Sequence, residues 1–158
     1  GCFLMEVQEP TDYTMRLEKT TPSGLKIGPE LIHQGVGEEK MLECFYYDTH
    51  TLEEALSKWK IVPEVLDCSN DYTLKTLFNE KHTPCFGLSE LLVEGKYTLK
   101  GNDCFFVVVI YSGDGTLSYN ENEYEYTQGD ELFISAAISE VSFIAKSKSK
   151  ILLCYPPK

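Results

Sequence analysis

Residues 105–119 read Phe-Phe-Val-Val-Val-Ile-Tyr-Ser-Gly-Asp-Gly-Thr-Leu-Ser-Tyr, and this stretch decides the fold. Its first part, Phe105–Ile110, is continuously apolar and rich in β-branched residues, which predicts a strand buried on both faces. Gly113 and Gly115 then favour a turn between two strands, because glycine adopts positive φ without steric cost. The turn does not resemble a phosphate-binding loop, since it lacks the lysine and the strand-to-helix context of such loops.

Similar short β-type runs fill the chain from Cys85 to Tyr155. Turn pairs such as Glu94-Gly95 and Gly129-Asp130 separate them at short intervals. We predict eight strands, at 85–93, 96–99, 103–111, 115–119, 123–127, 131–134, 140–145 and 150–155. Eight short strands are what a jelly roll requires. The chain is therefore predicted to be mainly β, with a jelly-roll barrel or sandwich in its C-terminal half.

The middle of the chain has a helical pattern instead. Thr51-Leu-Glu-Glu54 is a capping-box start, and apolar residues then repeat on one helical face until Pro63. Trp59 lies on that face, and we interpret it as a packing residue between the helix and a sheet. A second short helix or a turn is expected at 71–79, although the aromatic and β-branched residues there leave the assignment open.

The opening of the chain predicts two strands, at about 2–8 and 12–18. Since alternate side chains of a strand face the same side, Gln8, Asp12 and Arg16 would form one polar row. Arg16 would supply a charged fork suited to phosphate or a developing oxyanion. A half-exposed strand with a solvated Asp12/Arg16 pair is the simpler alternative, because surface ion pairs are common and weak.

Several motifs resemble those of type I mannose-6-phosphate isomerases, which are cupin proteins. They are Glu6-Val-Gln-Glu-Pro-Thr-Asp-Tyr-Thr-Met-Arg16, Thr21-Pro-Ser-Gly24, Gly113-Asp-Gly-Thr-Leu117 and Gln128-Gly-Asp-Glu-Leu-Phe-Ile-Ser-Ala-Ala137. The resemblance implies a cupin-type jelly roll over 85–158, strands of the parent catalytic cupin over 1–26, and a mixed helical and loop connection over 27–84.

The resemblance also implies roles for single residues. In the parent enzyme, which interconverts mannose 6-phosphate and fructose 6-phosphate, Arg16 would stabilise enediolate charge or hold the phosphate. Asp12 would orient Arg16 or act in an acid–base relay, and Gln8 would contribute a weaker substrate contact. Zinc would polarise the substrate in that parent.

The zinc ligands of that family lie upstream of the strand that opens this sequence, so we expect a C-terminal fragment without cofactor. The barrel itself is also expected to be metal-free, because the sequence has no histidine after His82, and to have a filled or narrow interior. The other histidines, His33 and His50, are far apart in the chain, and surface or capping roles are favoured for all three. His33 is the best functional candidate among them.

Composition narrows the function classes. The 158 residues carry a net charge of −11 with scattered basic residues, which argues against nucleic-acid binding. The alternating Lys146, Lys148 and Lys150 are interpreted as a solvent face, with a basic lip for a sugar phosphate as the alternative. No apolar run has the ~20 residues of a membrane helix. Six cysteines without regular spacing favour a reduced, cytoplasmic protein.

Three functions remain open at this point. The first is a fragment of a mannose-6-phosphate isomerase that is inactive alone. The second is a non-catalytic cupin module that binds a sugar or another subunit, with a homodimer formed through the opening strand. The third is an independent sugar-phosphate isomerase, which would need a metal site built from His33, His50 and His82.

Overall fold

A computed structural model describes residues 2–8, 14–101 and 103–157. The chain divides into two compact units, Gly1–Trp59 and Lys60–Lys158. The division falls directly after the helix of the middle region. Each unit is described by itself below.

The opening segment of the first unit is not a strand. Residues 2–8 and 14–18 have no regular secondary structure, so the prediction of strands there is wrong for these residues, while 12 and 13 lie outside the described part. The Arg16 amide donates to the carbonyl of Ile32 in a neighbouring helix rather than to a sheet. Alternation of polar groups does not form a strand unless a partner strand accepts its backbone hydrogen bonds.

A turn and three short helices follow. The predicted Thr-Pro-Ser-Gly turn is present, with Gly24 at φ +85° and an isolated bridge between Thr20 and Lys26. The helices are α1 (Pro29–His33), α2 (Glu38–Glu43) and α3 (Leu52–Trp59). None of the helices in the described ranges has the length and apolar character needed to cross a membrane.

The capping box predicted before α3 is confirmed. The Thr51 amide donates to Glu54 Oε2 at 2.8 Å, and the Glu54 amide donates back to Thr51 Oγ1 at 3.3 Å. The hydrogen bonds that the Thr51 amide and hydroxyl donate to the Glu54 carboxylate lower the pKa of that carboxyl. Trp59 is not the buried packing residue that the sequence predicts, because it is 54% exposed, and its ring contacts Tyr46 and His50 of the same unit.

The second unit consists of strands. Their bounds are β1 (Glu64–Cys68), β2 (Tyr72–Phe78), β3 (Gly87–Val93), β4 (Lys96–Lys100), β5 (Phe106–Ser112), β6 (Asp114–Tyr119), β7 (Asn122–Thr127), β8 (Glu131–Ile134), β9 (Glu140–Ala145) and β10 (Ser149–Tyr155). The eight predicted strands correspond to β3–β10 and are confirmed. The helix or turn expected at 71–79 is instead strand β2, and the sequence reasoning missed β1.

The strands form two antiparallel sheets. The large sheet has the order β1-β2-β3-β10-β5-β8, and the small sheet has the order β4-β9-β6-β7. The described core lies in the second unit and joins side chains of both sheets, including Leu91 and Ile110 from the large one and Phe143 and Tyr126 from the small one. This arrangement confirms the mainly β jelly roll.

The apolar run Phe105–Ile110 forms most of strand β5. Phe106, Val108 and Ile110 belong to the core and are at most 2% exposed, and Val109 is 9% exposed on the opposite face. The strand lies between β10 and β8, which pair with its backbone along both edges. Gly113 then turns the chain from the large sheet into the small one at φ +90°.

Candidate functional site

The second unit contains a cavity of about 760 Å³ at one end of the large sheet, here called the barrel-mouth cavity. The pairing register of strands β2, β3 and β10 explains the position of this cavity. Thr76 of β2 pairs with Ser89 of β3, and Ser89 pairs with Leu153 of β10. Alternate residues of a strand share a face, so Ser89 lies on the same face as the core residue Leu91. The cavity therefore lies on the face of the large sheet that also carries core residues.

A loop after β2 forms another part of the cavity wall. Asn79 organises this loop, because its carbonyl accepts from the amides of His82 and Thr83 and its Oδ1 accepts from the Lys81 amide. Two aromatic rings of the wall, Phe78 and Phe86, lie 5.9 Å apart. The backbone hydrogen bonds of the loop thus hold apolar rings at the rim.

The polar groups in the described cavity wall are mostly uncharged. Thr76 and Ser89 are each 7% exposed, and Thr76 Oγ1 donates to the Phe78 carbonyl at 3.3 Å. Glu80 supplies a carboxylate and Cys104 a thiol, and the described wall contains no lysine, arginine or histidine. Apolar side chains and prolines make up most of the remaining surface.

Tyr155 is the most perturbed group in the cavity. Burial, with smaller contributions from the nearby Tyr97 and Cys154, raises the pKa of its hydroxyl from 10.0 to about 12. Burial likewise raises the pKa of the neighbouring Cys154 thiol, from 9.0 to about 11. Both groups are neutral at physiological pH, so neither is poised to act as a base or nucleophile there.

Comparison with known proteins assigns the second unit to a protein family. The sequence profile of the family described as "Mannose-6-phosphate isomerase, cupin domain" matches residues 75–155, just over half of the chain. The chain belongs to this cupin-domain family. The match begins within β2 and continues to the end of β10, so it includes β3, β10 and part of β2 among the strands that line the cavity. No curated protein matches the sequence.

Solved structures share the cupin fold at low sequence identity. The mannose 6-phosphate isomerase from Bacillus subtilis has a TM-score of 0.59 at 13% identity, over 88% of this chain and 38% of that one. The polyketide cyclase RemF from Streptomyces resistomycificus has a TM-score of 0.52 at 14% identity, over 72% and 81%. Ectoine synthase from P. lautus has a TM-score of 0.50 at 15% identity, over 70% and 78%. These likenesses show the fold alone.

Zinc, which mannose-6-phosphate isomerases are expected to use, does not fit the barrel-mouth cavity of this cupin domain. Zinc sites in proteins combine three or four imidazole, thiolate or carboxylate ligands. The described cavity wall offers one thiol, one carboxylate and neutral hydroxyls. Across the described residues as a whole, no three side chains of histidine, cysteine, aspartate or glutamate form a group that could hold a metal ion.

The site residues predicted from the opening of the chain belong to the other unit. Arg16 is half-buried, and its Nη1 donates to the carbonyl of Leu31 at 2.8 Å. Gln8 is exposed, and Asp12 lies outside the described residues. The contacts of Arg16 fix its position beside α1, and its predicted role in catalysis stays a prediction.

The three histidines have the surface and capping roles that the sequence favoured. His33 Nδ1 accepts from the Gly37 amide at 3.2 Å, at the start of α2. His50 stacks on Tyr46 in the first unit. His82 Nδ1 lies 2.9 Å from Asn79 Oδ1 in the loop at the cavity rim.

The alternating lysines near the C-terminus are ion-paired on the surface. Lys146 pairs with Glu125, Lys148 with Glu94 at 2.6 Å, and Lys150 with Glu90 at 3.6 Å. Each positive charge is thus offset locally by a carboxylate. This arrangement fits the solvent-face interpretation better than a basic lip for a sugar phosphate.

Sequence reasoning missed the cavity residues because they form no motif. Thr76, Ser89 and Tyr155 come from three strands, and the order β2-β3-β10 brings distant parts of the chain side by side. One signal was available, namely small or polar residues at strand positions that continue an apolar face. Gly87 and Ser89, which precede Leu91 and Val93 at alternate positions, are such a signal.

Proposed function

We propose that this chain is the C-terminal, cupin-bearing part of a mannose-6-phosphate isomerase and that it does not turn over mannose 6-phosphate alone. The observation that carries the proposal is the family match from β2 to β10. The fold likeness to the Bacillus subtilis isomerase, which spans 88% of this chain and 38% of that enzyme, supports it.

The chemistry of the barrel-mouth cavity agrees with a non-catalytic role for this domain. Isomerisation between an aldose and a ketose moves a proton between two carbons, which requires a base with a suitable pKa. Burial keeps Tyr155 and Cys154 neutral, and no cation in the described cavity wall could hold a phosphate group. Glu80 is the one carboxylate in that wall.

Arg16 is the residue through which this chain would contribute to a catalytic site elsewhere in the enzyme. A guanidinium has five N–H donors, and the bond from Nη1 to the Leu31 carbonyl orients its plane. The remaining donors would bind the substrate phosphate or enediolate oxygens. Asp12 would orient Arg16 or relay a proton, and Gln8 would add a weaker contact to the substrate.

The test is turnover and metal content of the purified chain. Mannose 6-phosphate is supplied with and without added zinc, fructose 6-phosphate is measured by a coupled assay, and bound zinc by mass spectrometry. We expect no turnover and no stoichiometric zinc. Turnover that disappears in Arg16→Ala would show that the chain is an isomerase in its own right and would overturn the non-catalytic part of the proposal.

Subunit association is a second candidate function, favoured by strand β1. All five residues of this edge strand are exposed, including Val65 at 54% and Leu66 at 56%. An exposed edge strand is a template for pairing with another chain. A homodimer would then form through β1 rather than through the opening segment, which is not a strand. Sedimentation equilibrium should show a dimer that Val65→Lys dissociates, and a monomeric wild-type chain would contradict this candidate.

A further inference from the structure

We propose that the barrel-mouth cavity binds a neutral, ring-containing small molecule rather than a sugar phosphate. The inference is independent of the isomerase assignment, because it rests on the lining of the cavity in the second unit alone. Its volume of about 760 Å³ lies within the ~300–1,000 Å³ of drug-sized ligand sites.

The cavity wall is suited to rings. Phe78, Phe86 and Tyr155 supply aromatic surface, and Pro156 and Pro157 supply rigid apolar surface. Phe78 and Phe86 are tilted by 53° to each other, so the two rings do not stack face to face. Aromatic rings prefer offset or edge contacts with other rings, which a planar or alicyclic ligand would provide.

A few hydroxyls would orient the ligand. Thr76 Oγ1 uses its proton on the Phe78 carbonyl, so its lone pairs remain as acceptors for a ligand hydroxyl. Ser89 lines the cavity one strand away and is 7% exposed. The Tyr155 hydroxyl stays protonated well above neutral pH and can serve as a donor. These groups recognise an alcohol, a ketone or an ether without providing charge.

The charges of the described cavity wall disfavour binding of an anion. The described wall contains no lysine, arginine or histidine that could pair with a phosphate or a carboxylate. An anion placed here would lose its hydration without gaining a cationic partner from the described wall, and that loss is unfavourable in an apolar environment. The net charge of −11 of the whole chain acts in the same direction.

Gly87 offers a matched pair of variants. An added Cβ at Gly87 would meet Tyr155 at 3.5 Å, which is ordinary van der Waals contact, so Gly87→Ala should leave the wall intact. The larger side chain of Gly87→Leu would extend beyond that contact into the cavity. The alanine variant therefore controls for loss of glycine, and the leucine variant fills the space.

The experiment titrates the full chain with two fluorescent probes of one skeleton, naproxol, which is a neutral methoxynaphthyl alcohol, and naproxen, its carboxylate. We expect saturable binding of naproxol that is at least about tenfold tighter than that of naproxen, because the carboxylate must be desolvated. Gly87→Leu should weaken naproxol binding by at least about tenfold and Gly87→Ala by less than about twofold. Equal affinity for both probes, or unchanged binding by Gly87→Leu, would overturn the proposal.

Cys104 gives a second measurement that needs no variant. Its thiol lines the cavity, whereas the thiol of Cys2 is exposed in the other unit. Bound naproxol should slow alkylation of Cys104 by N-ethylmaleimide, read by peptide mass spectrometry, and leave Cys2 unaffected. Protection of Cys104 by mannose 6-phosphate but not by naproxol would refute the neutral-ligand inference and identify a sugar-phosphate site. Absence of turnover in the isomerase assay would leave either result intact.

Discussion

Tyr155 makes the stability of the second unit depend on pH in the alkaline range. Burial raises the pKa of its hydroxyl from 10.0 to about 12, so the folded state prefers the neutral phenol. A group whose pKa is raised on folding contributes stability that is complete below its unfolded pKa and disappears as the pH rises through its folded pKa. At about pH 11 the ionised unfolded state gains roughly 1.4 kcal/mol relative to the folded state.

The perturbation that tests this is Tyr155→Phe, which removes the titrating hydroxyl and keeps the ring. Because the Cys154 thiol titrates in an overlapping range, the comparison is made in a Cys154→Ala background. Urea unfolding between about pH 8 and 11, followed by circular dichroism, gives the free energy of unfolding at each pH. The parent should lose about 1.4 kcal/mol more than the Tyr155→Phe variant over that range. Equal losses would refute the burial argument, and Tyr124→Phe, an exposed tyrosine of β7, is the control.

Three further changes test the packing of each unit. Phe143→Ala removes a fully buried ring between the sheets and should lower the free energy of unfolding by about 3–5 kcal/mol in urea titrations. Gly115→Ala should destabilise by more than about 1 kcal/mol, because its Cβ would collide with the carbonyl of Ile144, and thermal unfolding would reveal it. Thr51→Ala should cost α3 about 1 kcal/mol by removing the capping box, and faster hydrogen exchange at 52–59 with unchanged exchange in β3–β10 would show it.

The local sequence pattern was sufficient to predict strands β3–β10, because each strand has a recognisable apolar run with turn residues at its ends. Alternating or continuous apolar residues define each run, and glycine, asparagine or aspartate ends it. Strand β2 has a similar alternating signal in Tyr72, Leu74 and Thr76. Its sequence is nevertheless also compatible with a short helix or a turn, so local pattern leaves the assignment open. Strand β1 is exposed along its whole length, so its extended state depends on pairing with β2 rather than on burial.

The opening segment shows the opposite failure. Gln8, Asp12 and Arg16 have strand spacing, yet the described residues around them are not a strand, since the Arg16 backbone bonds to α1. Spacing states which side chains would share a face if a strand formed, and it does not supply the neighbouring strand. The resemblance to the isomerase family correctly predicts the cupin fold of the C-terminal half. Residue spacing alone does not predict a fold.

The barrel-mouth cavity follows from a gradient of side-chain size along the large sheet. At one end, Leu91 and Ile151 fill the space between the sheets. At the other end, the positions of β3 on the same face are Ser89 and Gly87, and both line the cavity. Leucine at both positions would extend into that space. The small residues lower the apolar area that the fold can bury, so the cavity is formed at a cost in stability.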